Sequence, residues 1–194
     1  MISSIRNLRY LLKLDSTALT VIVLLFLIKG NAYSQNISFE RDHSGNPILD
    51  QQFVDTVINK TKFKKIDGDY LALEDFKGKV IVIDLWQTWC GPCIIAFKGL
   101  QDAKLKYPDK LEIIAASPEW ADKEGKIKRF IKKNNYSFQF IWAGELEKIL
   151  SLKSIPYKII IDENGNLITT KSDSGGQKEE FLLIEKILIN HSDR

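Results

Sequence analysis

Two cysteines three residues apart, placed directly after a continuous apolar run, constrain the fold of this chain more than any other feature. The stretch VIVIDLWQTWCGPCIIAF, residues 80–97, holds Cys90 and Cys93, and the 194 residues contain no other cysteine. The run before them is rich in β-branched residues, which is typical of a strand buried on both faces. Asp84 interrupts the run, and a carboxylate in such a place needs a partner or a function. After Cys93 the apolar spacing becomes helical, so both cysteines should stand at the start of a helix.

A helix N-terminus suits redox chemistry because its unpaired N–H groups and partial positive charge favour a thiolate over a thiol. We expect Cys90, at the mouth of the helix, to be the exposed nucleophile. We expect Cys93, inside the first turn, to be the buried resolving thiol. Pro92 fits a first helical turn, where its missing N–H costs nothing, and Gly91 leaves room for a substrate chain.

Two other uses of the cysteine pair are open. A zinc site needs about four ligands, and the histidines, His43 and His191, lie in opposite tails. A purely structural disulfide is conceivable, although so small a loop adds little stability. Reversible dithiol–disulfide exchange, which needs neither a metal nor a bound cofactor, is therefore the favoured interpretation.

The rest of the chain predicts an α/β fold with a mixed central sheet and helices on both faces. Asp67-Gly68 lies between two short β-rich runs and indicates a β-hairpin before the sheet. Buried strands and amphipathic helices then alternate. Asn164-Gly165 indicates a second hairpin that adds antiparallel strands at one side, and an amphipathic helix at residues 178–190 closes the chain.

Charge and hydropathy divide the chain into three parts. Residues 1–34 carry Arg6, Arg9, Lys13 and Lys29 against Asp15, which is the whole net charge of +3, so the remainder holds 24 basic and 24 acidic residues. A nucleic-acid surface is therefore not indicated. Residues 1–34 are predicted to be a signal peptide that ends at Ala32-Tyr33-Ser34, or else an uncleaved membrane anchor. An N-terminal extension at residues 35–58 and the folded domain at residues 59–194 would follow, outside the cytoplasm.

The motif VIDLWQTWCGPC resembles the thioredoxin superfamily, in particular its TlpA/ResA-like exported thiol-disulfide oxidoreductases. The similarity extends to LALEDFKGKVIVIDLW before the motif and to SIPYKIIIDENGNL after it, so it covers roughly residues 60–190. The resemblance implies a thioredoxin fold and the nucleophile and resolving roles of Cys90 and Cys93.

The resemblance also implies roles for residues around the cysteines. Pro156 matches a cis-proline beside the disulfide, and Ile155 would offer its backbone to a substrate strand; a trans proline that begins a strand is the alternative. Asp84 matches a buried acid that exchanges a proton with Cys93, with a purely structural carboxylate as the alternative. Trp89 is expected to be exposed and to contact partners. For Trp86, Trp120 and Trp142 we expect packing.

Three positions depart from the family pattern. Ala96 and Lys98 stand where such proteins often have glutamate and proline, and Tyr157 replaces the threonine after the cis-proline. Without that glutamate, proton transfer falls to Asp84. Lys158 interrupts the following apolar strand, which neighbours the strand of Asp84 in this fold. We therefore expect Lys158 to reach Asp84 and tune its pKa, unless its amine extends to solvent instead.

The predicted function is reduction of disulfides in envelope proteins, by a monomer that takes electrons from a membrane donor and could itself be tethered to the membrane. An oxidase or isomerase that donates its disulfide is the first alternative. A thioredoxin-like binding module with a redox-sensing disulfide is the second.

Overall fold

Five strands form the central sheet of the structure, a computed structural model that describes residues 38–192. Their spatial order is β5-β4-β3-β6-β7; β3, β4 and β5 run parallel, and β6 and β7 are antiparallel to their neighbours. This arrangement confirms the mixed sheet and the late hairpin at one side. The strands are β3 (Val80–Leu85), β4 (Leu111–Ser117), β5 (Gln139–Trp142), β6 (Tyr157–Ile161) and β7 (Leu167–Lys171).

Helices cover both faces of this sheet, which is why its central strands are buried at every position and apolar at most of them, rather than at alternate ones. Ile81, Ile83 and Leu85 of β3 pack in one core cluster, whereas Val82 and Trp86 pack in the other. The helices are α1 (Gln51–Thr56), α2 (Gly91–Lys106), α3 (Glu124–Asn134), α4 (Glu145–Leu150) and α5 (Gln177–Ser192). Helices α2, α3 and α5 cover the face of Trp86, and α1 and α4 cover the other.

The predicted first hairpin is present but short. Its strands, β1 (Phe63–Lys64) and β2 (Tyr70–Leu71), pair antiparallel in a separate small sheet. Gly68 has a φ of 107°, which residues with a Cβ rarely adopt, so the turn depends on glycine here. The hairpin reaches the main sheet where the Ile66 amide donates to the carbonyl of Phe140 in β5 (3.0 Å).

The described part of the N-terminal extension, residues 38–58, is ordered and packed. Helix α1 begins where the Asp50 carboxylate accepts from the Phe53 amide (2.8 Å), an N-cap that the sequence analysis did not anticipate. Phe53, Val54 and Ile58 are buried in the core cluster beneath the sheet. The extension therefore supplies part of the hydrophobic core.

The predicted signal peptide or anchor, residues 1–34, lies outside the described residues. Within residues 38–192, none of the helices combines the length and the hydropathy that crossing a bilayer requires.

Candidate functional site

The cysteine pair lies at the N-terminus of α2, a few residues after the end of the strand that carries Asp84. Cys90 is the N-cap residue and forms a disulfide with Cys93, with the two Cα atoms 5.3 Å apart. The Cys93 amide donates to Cys90 Sγ at 3.2 Å. This N–H and the helix dipole would stabilise a thiolate at Cys90 once the disulfide is reduced. Pro92 occupies the first helical turn, and Gly91 has no atom within 4 Å of the place where a Cβ would stand.

Cys90 is much less exposed than the sequence analysis predicted. Cys90 is 4% exposed and Cys93 is fully buried. Their order of exposure is as expected, but Cys90 is recessed because it turns inward to cap the helix and packs in the core cluster that also contains Trp86 and Phe97. Trp89, Gly91 and Pro92 around it are exposed.

The loop before β6 contains Ile155 and Pro156. The peptide bond between Ile155 and Pro156 is cis, as the resemblance implied, which excludes the trans alternative. Ile155 is half-buried and packs against the cluster that holds both cysteines. Pro156 is buried at the start of the strand that pairs with β3. The structure thus brings together the two segments that the sequence separates by more than 60 residues.

A buried polar side chain from the N-terminal extension holds this loop in place. Asn46 is fully buried. Its Oδ1 accepts from the amides of Lys153 (2.8 Å) and Ser154 (3.2 Å), and its Nδ2 donates to the Ser154 carbonyl (3.1 Å). The Tyr157 hydroxyl donates to the carbonyl of Pro47 (2.7 Å), just after Asn46. Hydrogen bonds therefore flank the cis bond on both sides, and all of them reach residues of the extension.

Three buried charged side chains lie together where β3, β6 and α5 meet. Asp84 and Lys158 are direct partners across β3 and β6. Lys158 Nζ lies 3.9 Å from Asp84 Oδ2 and 3.3 Å from Glu180 Oε1, and all three side chains are essentially buried. The expectation that Lys158 reaches Asp84 matches this geometry, and its amine does not extend to solvent.

This environment shifts the proton affinity of Asp84. Burial is the main cause that raises the pKa of Asp84 to about 7, while the charge of Lys158 lowers it and the charge of Glu180 raises it. Neither carboxylate oxygen of Asp84 accepts a hydrogen bond from the described residues. A carboxyl with a pKa near neutrality can accept a proton from a thiol and return it.

Glu180 is the member of this cluster that the sequence analysis missed. It lies four residues before Ile184, so it continues the buried stripe of α5, and a carboxylate on an apolar stripe was the available signal. Gly99 explains how α5 comes so close to α2. A Cβ at Gly99 would stand 2.1 Å from the carbonyl oxygen of Gln177 and 2.9 Å from the Glu180 Cβ.

The four tryptophans divide into packing and exposed residues. Trp86 is fully buried against the rings of Phe97 and Phe130, and Trp142 is half-buried. Trp89 is 61% exposed, as expected. The expectation of packing is wrong for Trp120, which is 73% exposed.

Trp120 lies in the loop after β4, and this loop is fastened to the segment that precedes the cysteines. The Asp122 carboxylate accepts from the Thr88 amide (2.7 Å) and the Thr88 hydroxyl (2.8 Å). These two bonds hold the loop of Trp120 next to the segment of Trp89. Two exposed indoles, Trp89 and Trp120, therefore lie on adjoining loops at the carboxyl ends of β3 and β4.

Among the described residues, one group of side chains could jointly hold a metal ion. The side chains that could jointly approach an ion are Asp162, Glu163 and His191, at the opposite end of β6 from Pro156. The Asp162 carboxylate already accepts from the backbone amides of Asn164 (2.9 Å) and Asn166 (2.7 Å) in a tight turn. The Asp162 carboxylate is therefore engaged by the turn, and the three residues lie away from the cysteines.

Comparison with known proteins identifies the family of this chain. The family model described as AhpC/TSA family matches residues 54–170. The chain belongs to the AhpC/TSA family. The protein is 31% identical over 120 residues to the thiol-disulfide oxidoreductase ResA of Bacillus thuringiensis subsp. konkukian, covering 60% of this chain and 67% of ResA. It is 28% identical over 104 residues to the thioredoxin-like protein YneN of Bacillus subtilis, covering 53% of this chain and 61% of YneN.

The crystal structure of StoA from Bacillus subtilis superimposes with a TM-score of 0.53 at 22% identity, covering 64% of this chain and 95% of StoA. These findings confirm the thioredoxin fold and the TlpA/ResA-like resemblance. They also confirm the predicted class of enzyme, a thiol-disulfide oxidoreductase.

Proposed function

We propose that this AhpC/TSA family member is an exported thiol-disulfide oxidoreductase that reduces disulfides of envelope proteins through a Cys90–Cys93 dithiol–disulfide cycle. The observation that supports this most is the disulfide at the N-terminus of α2, with the Cys93 N–H aimed at Cys90 Sγ. The cis-Pro156 loop and the buried Asp84 lie on the same face of the sheet and support the same chemistry.

In the first step the Cys90 thiolate attacks one sulfur of a substrate disulfide, and the other substrate sulfur leaves as a thiolate that takes up a proton. In the second step Cys93 loses its proton to Asp84 and attacks Cys90 Sγ in the mixed disulfide. The second substrate thiol is released, and the Cys90–Cys93 disulfide forms. Two electrons pass from the enzyme to the substrate, so an external dithiol must reduce the enzyme again.

Substrate binding would use the groups around the recessed Cys90. Trp89, Gly91 and Pro92 form the exposed approach, and the backbone of Ile155 beside cis-Pro156 can pair with an extended substrate segment. A polypeptide that carries an accessible disulfide is the substrate class that suits such an approach. We propose that the enzyme acts as a monomer.

The sequence of the N-terminal segment supports a proposal for where the enzyme is located and what supplies its electrons. Residues 1–34 would direct export, as a cleaved signal or as a membrane tether, and would place the domain in the periplasm or cell envelope. A membrane protein that carries a reduced dithiol would then be the electron donor.

Insulin reduction with the wild type, Cys90→Ser and Cys93→Ser tests the cycle. We expect turnover by the wild type and none by either variant, and Cys93→Ser should accumulate a mixed disulfide at Cys90. Equal inactivity of the wild type and Cys90→Ser, with partners still bound, would favour a binding module with a sensing disulfide. A reduction potential above about −150 mV would favour the oxidase or isomerase alternative.

A further inference from the structure

The buried charge cluster contains one more carboxylate than its lysine can neutralise. Asp84, Lys158 and Glu180 would carry a net charge of −1 if all three were ionised. Burial of an uncompensated charge is costly, so the cluster favours a form in which one carboxylate holds a proton. The way in which Lys158 is shared between the two carboxylates therefore affects the proton affinity of Asp84.

Lys158 interacts more closely with Glu180 than with Asp84. Its Nζ lies 3.3 Å from Glu180 Oε1, within hydrogen-bond distance, but 3.9 Å from Asp84 Oδ2. Glu180 Oε1 also accepts from the Gly175 amide at 3.1 Å, and Lys158 Nζ donates to the Asp173 carbonyl at 3.3 Å. These bonds fix the amine on the side of Glu180, so Asp84 interacts with only part of its charge.

Few other charges face Asp84 among the described residues. Its neighbour in β4 is the uncharged Ala115. The buried lysine of α2, Lys104, is paired with Glu112 at 3.0 Å. In β7, Lys171 stands opposite Lys158, but its amine is paired with the Asp173 carboxylate. Lys158 and Glu180 therefore dominate the electrostatic environment of Asp84.

The cluster is also connected to the turn that holds the cysteines, through a short segment of the chain. The segment that binds Lys158 and Glu180, residues 173–175, contains Ser174, whose hydroxyl donates to the carbonyl of Pro92 at 3.3 Å. A single short segment thus contacts both the charge cluster and the turn between the two cysteines.

We propose that Glu180 is a positioning residue: by holding Lys158 it limits the charge that reaches Asp84, and it thereby sets the pH range in which Asp84 accepts the proton of Cys93. The inference rests on the proposed dithiol–disulfide cycle and adds to it a third residue, from α5. Proteins of the TlpA/ResA-like pattern often carry a glutamate on the cysteine helix, at the position of Ala96 in this chain. Here Glu180 of α5 supplies the second carboxylate instead.

The first test leaves the cycle aside and titrates Asp84 in the oxidised protein by carboxyl carbon-13 NMR. In Glu180→Gln the repulsion is lost and Lys158 is free to approach Asp84, so the midpoint should fall by about one pH unit. In Lys158→Met it should rise. Glu179→Gln, the same change at the neighbouring exposed position, should leave the midpoint where it is in the wild type. An unchanged or higher midpoint in Glu180→Gln would overturn the proposal.

The second test follows the resolving step. Reduced protein reacts with an aromatic disulfide reagent that releases one coloured thiol when Cys90 is modified and a second when Cys93 attacks. We plot the rate of the second release against pH. The acid limb of this curve should lie at lower pH in Glu180→Gln, shifted by the same amount as the NMR midpoint. In Glu179→Gln it should lie where it does in the wild type. A shifted NMR midpoint with an unshifted second release would refute the link to Cys93.

Failure of the proposed function would look different. The wild type itself would then release no second thiol, while the NMR titration would still report on the cluster. Thermal unfolding of the oxidised variants checks their fold. If Glu180→Gln does not fold, Glu180→Met, which also removes the charge, is taken through the same two measurements.

Discussion

Asp84→Asn should remove a pH dependence of stability that this one buried carboxyl imposes on the oxidised protein. The pKa of Asp84 is raised from 3.8 to about 7, chiefly by burial. A carboxyl with a raised pKa in the folded state binds its proton more tightly there than in the unfolded chain. Its stabilising contribution is therefore complete below pH 3.8 and is lost as the pH rises through about 7.

The size of the effect follows from the width of that window. A difference of about 3 pH units, at about 1.4 kcal/mol per unit, makes the free energy of unfolding about 4 kcal/mol lower above pH 7 than below pH 4 on account of this group. Asparagine has nearly the same shape and does not titrate. The stability of Asp84→Asn relative to the wild type should therefore increase by about 4 kcal/mol between pH 4 and pH 8.

Urea unfolding of the oxidised wild type and Asp84→Asn across this pH range measures the difference directly. Asp109→Asn, which removes an exposed aspartate, serves as the control and should give a nearly constant difference from the wild type. A constant difference for Asp84→Asn as well would refute the reasoning, because it would mean that Asp84 ionises equally easily in the folded and unfolded chains.

Three further substitutions test other parts of the site. Asn46→Ala removes the hydrogen bonds that this buried amide makes with Lys153 and Ser154, so urea unfolding should show a loss of about 2 kcal/mol; a loss below about 0.5 kcal/mol would contradict a bracing role. Gly99→Ala would push a methyl group against the Gln177 carbonyl, and we expect a loss of about 2 kcal/mol by the same method, whereas a neutral result would contradict the close packing of α2 and α5. Trp120→Ala should raise the KM for insulin about five-fold, equivalent to about 1 kcal/mol, and leave reduction of a small aromatic disulfide unchanged; equal effects on both substrates would exclude a docking role.

Features that depend on neighbours along the chain were predictable from the sequence. The buried strand of Val80–Leu85, the helix that begins at the cysteines and the Asp67-Gly68 turn are each determined within a few residues by apolar spacing, helix capping and turn preferences. The cis bond before Pro156 was accessible only through resemblance to a family. Spacing alone also indicated that Lys158 lies on a strand, and the predicted fold placed that strand beside β3.

Contacts between distant segments were decided only by the tertiary structure. No local pattern shows that Asn46 binds the loop of Ser154, because hydrogen bonds between segments more than 100 residues apart depend on how the whole chain packs. The burial of Cys90, the exposure of Trp120 and the arrival of Glu180 beside Lys158 have the same origin. The sequence by itself determined which groups could carry redox chemistry and where their helix begins. The packing of α5 decided which charges surround Asp84, and the packing of the N-terminal extension decided the position of the loop that carries cis-Pro156. Tertiary structure decides both because electrostatic interactions and steric access depend on distances in space.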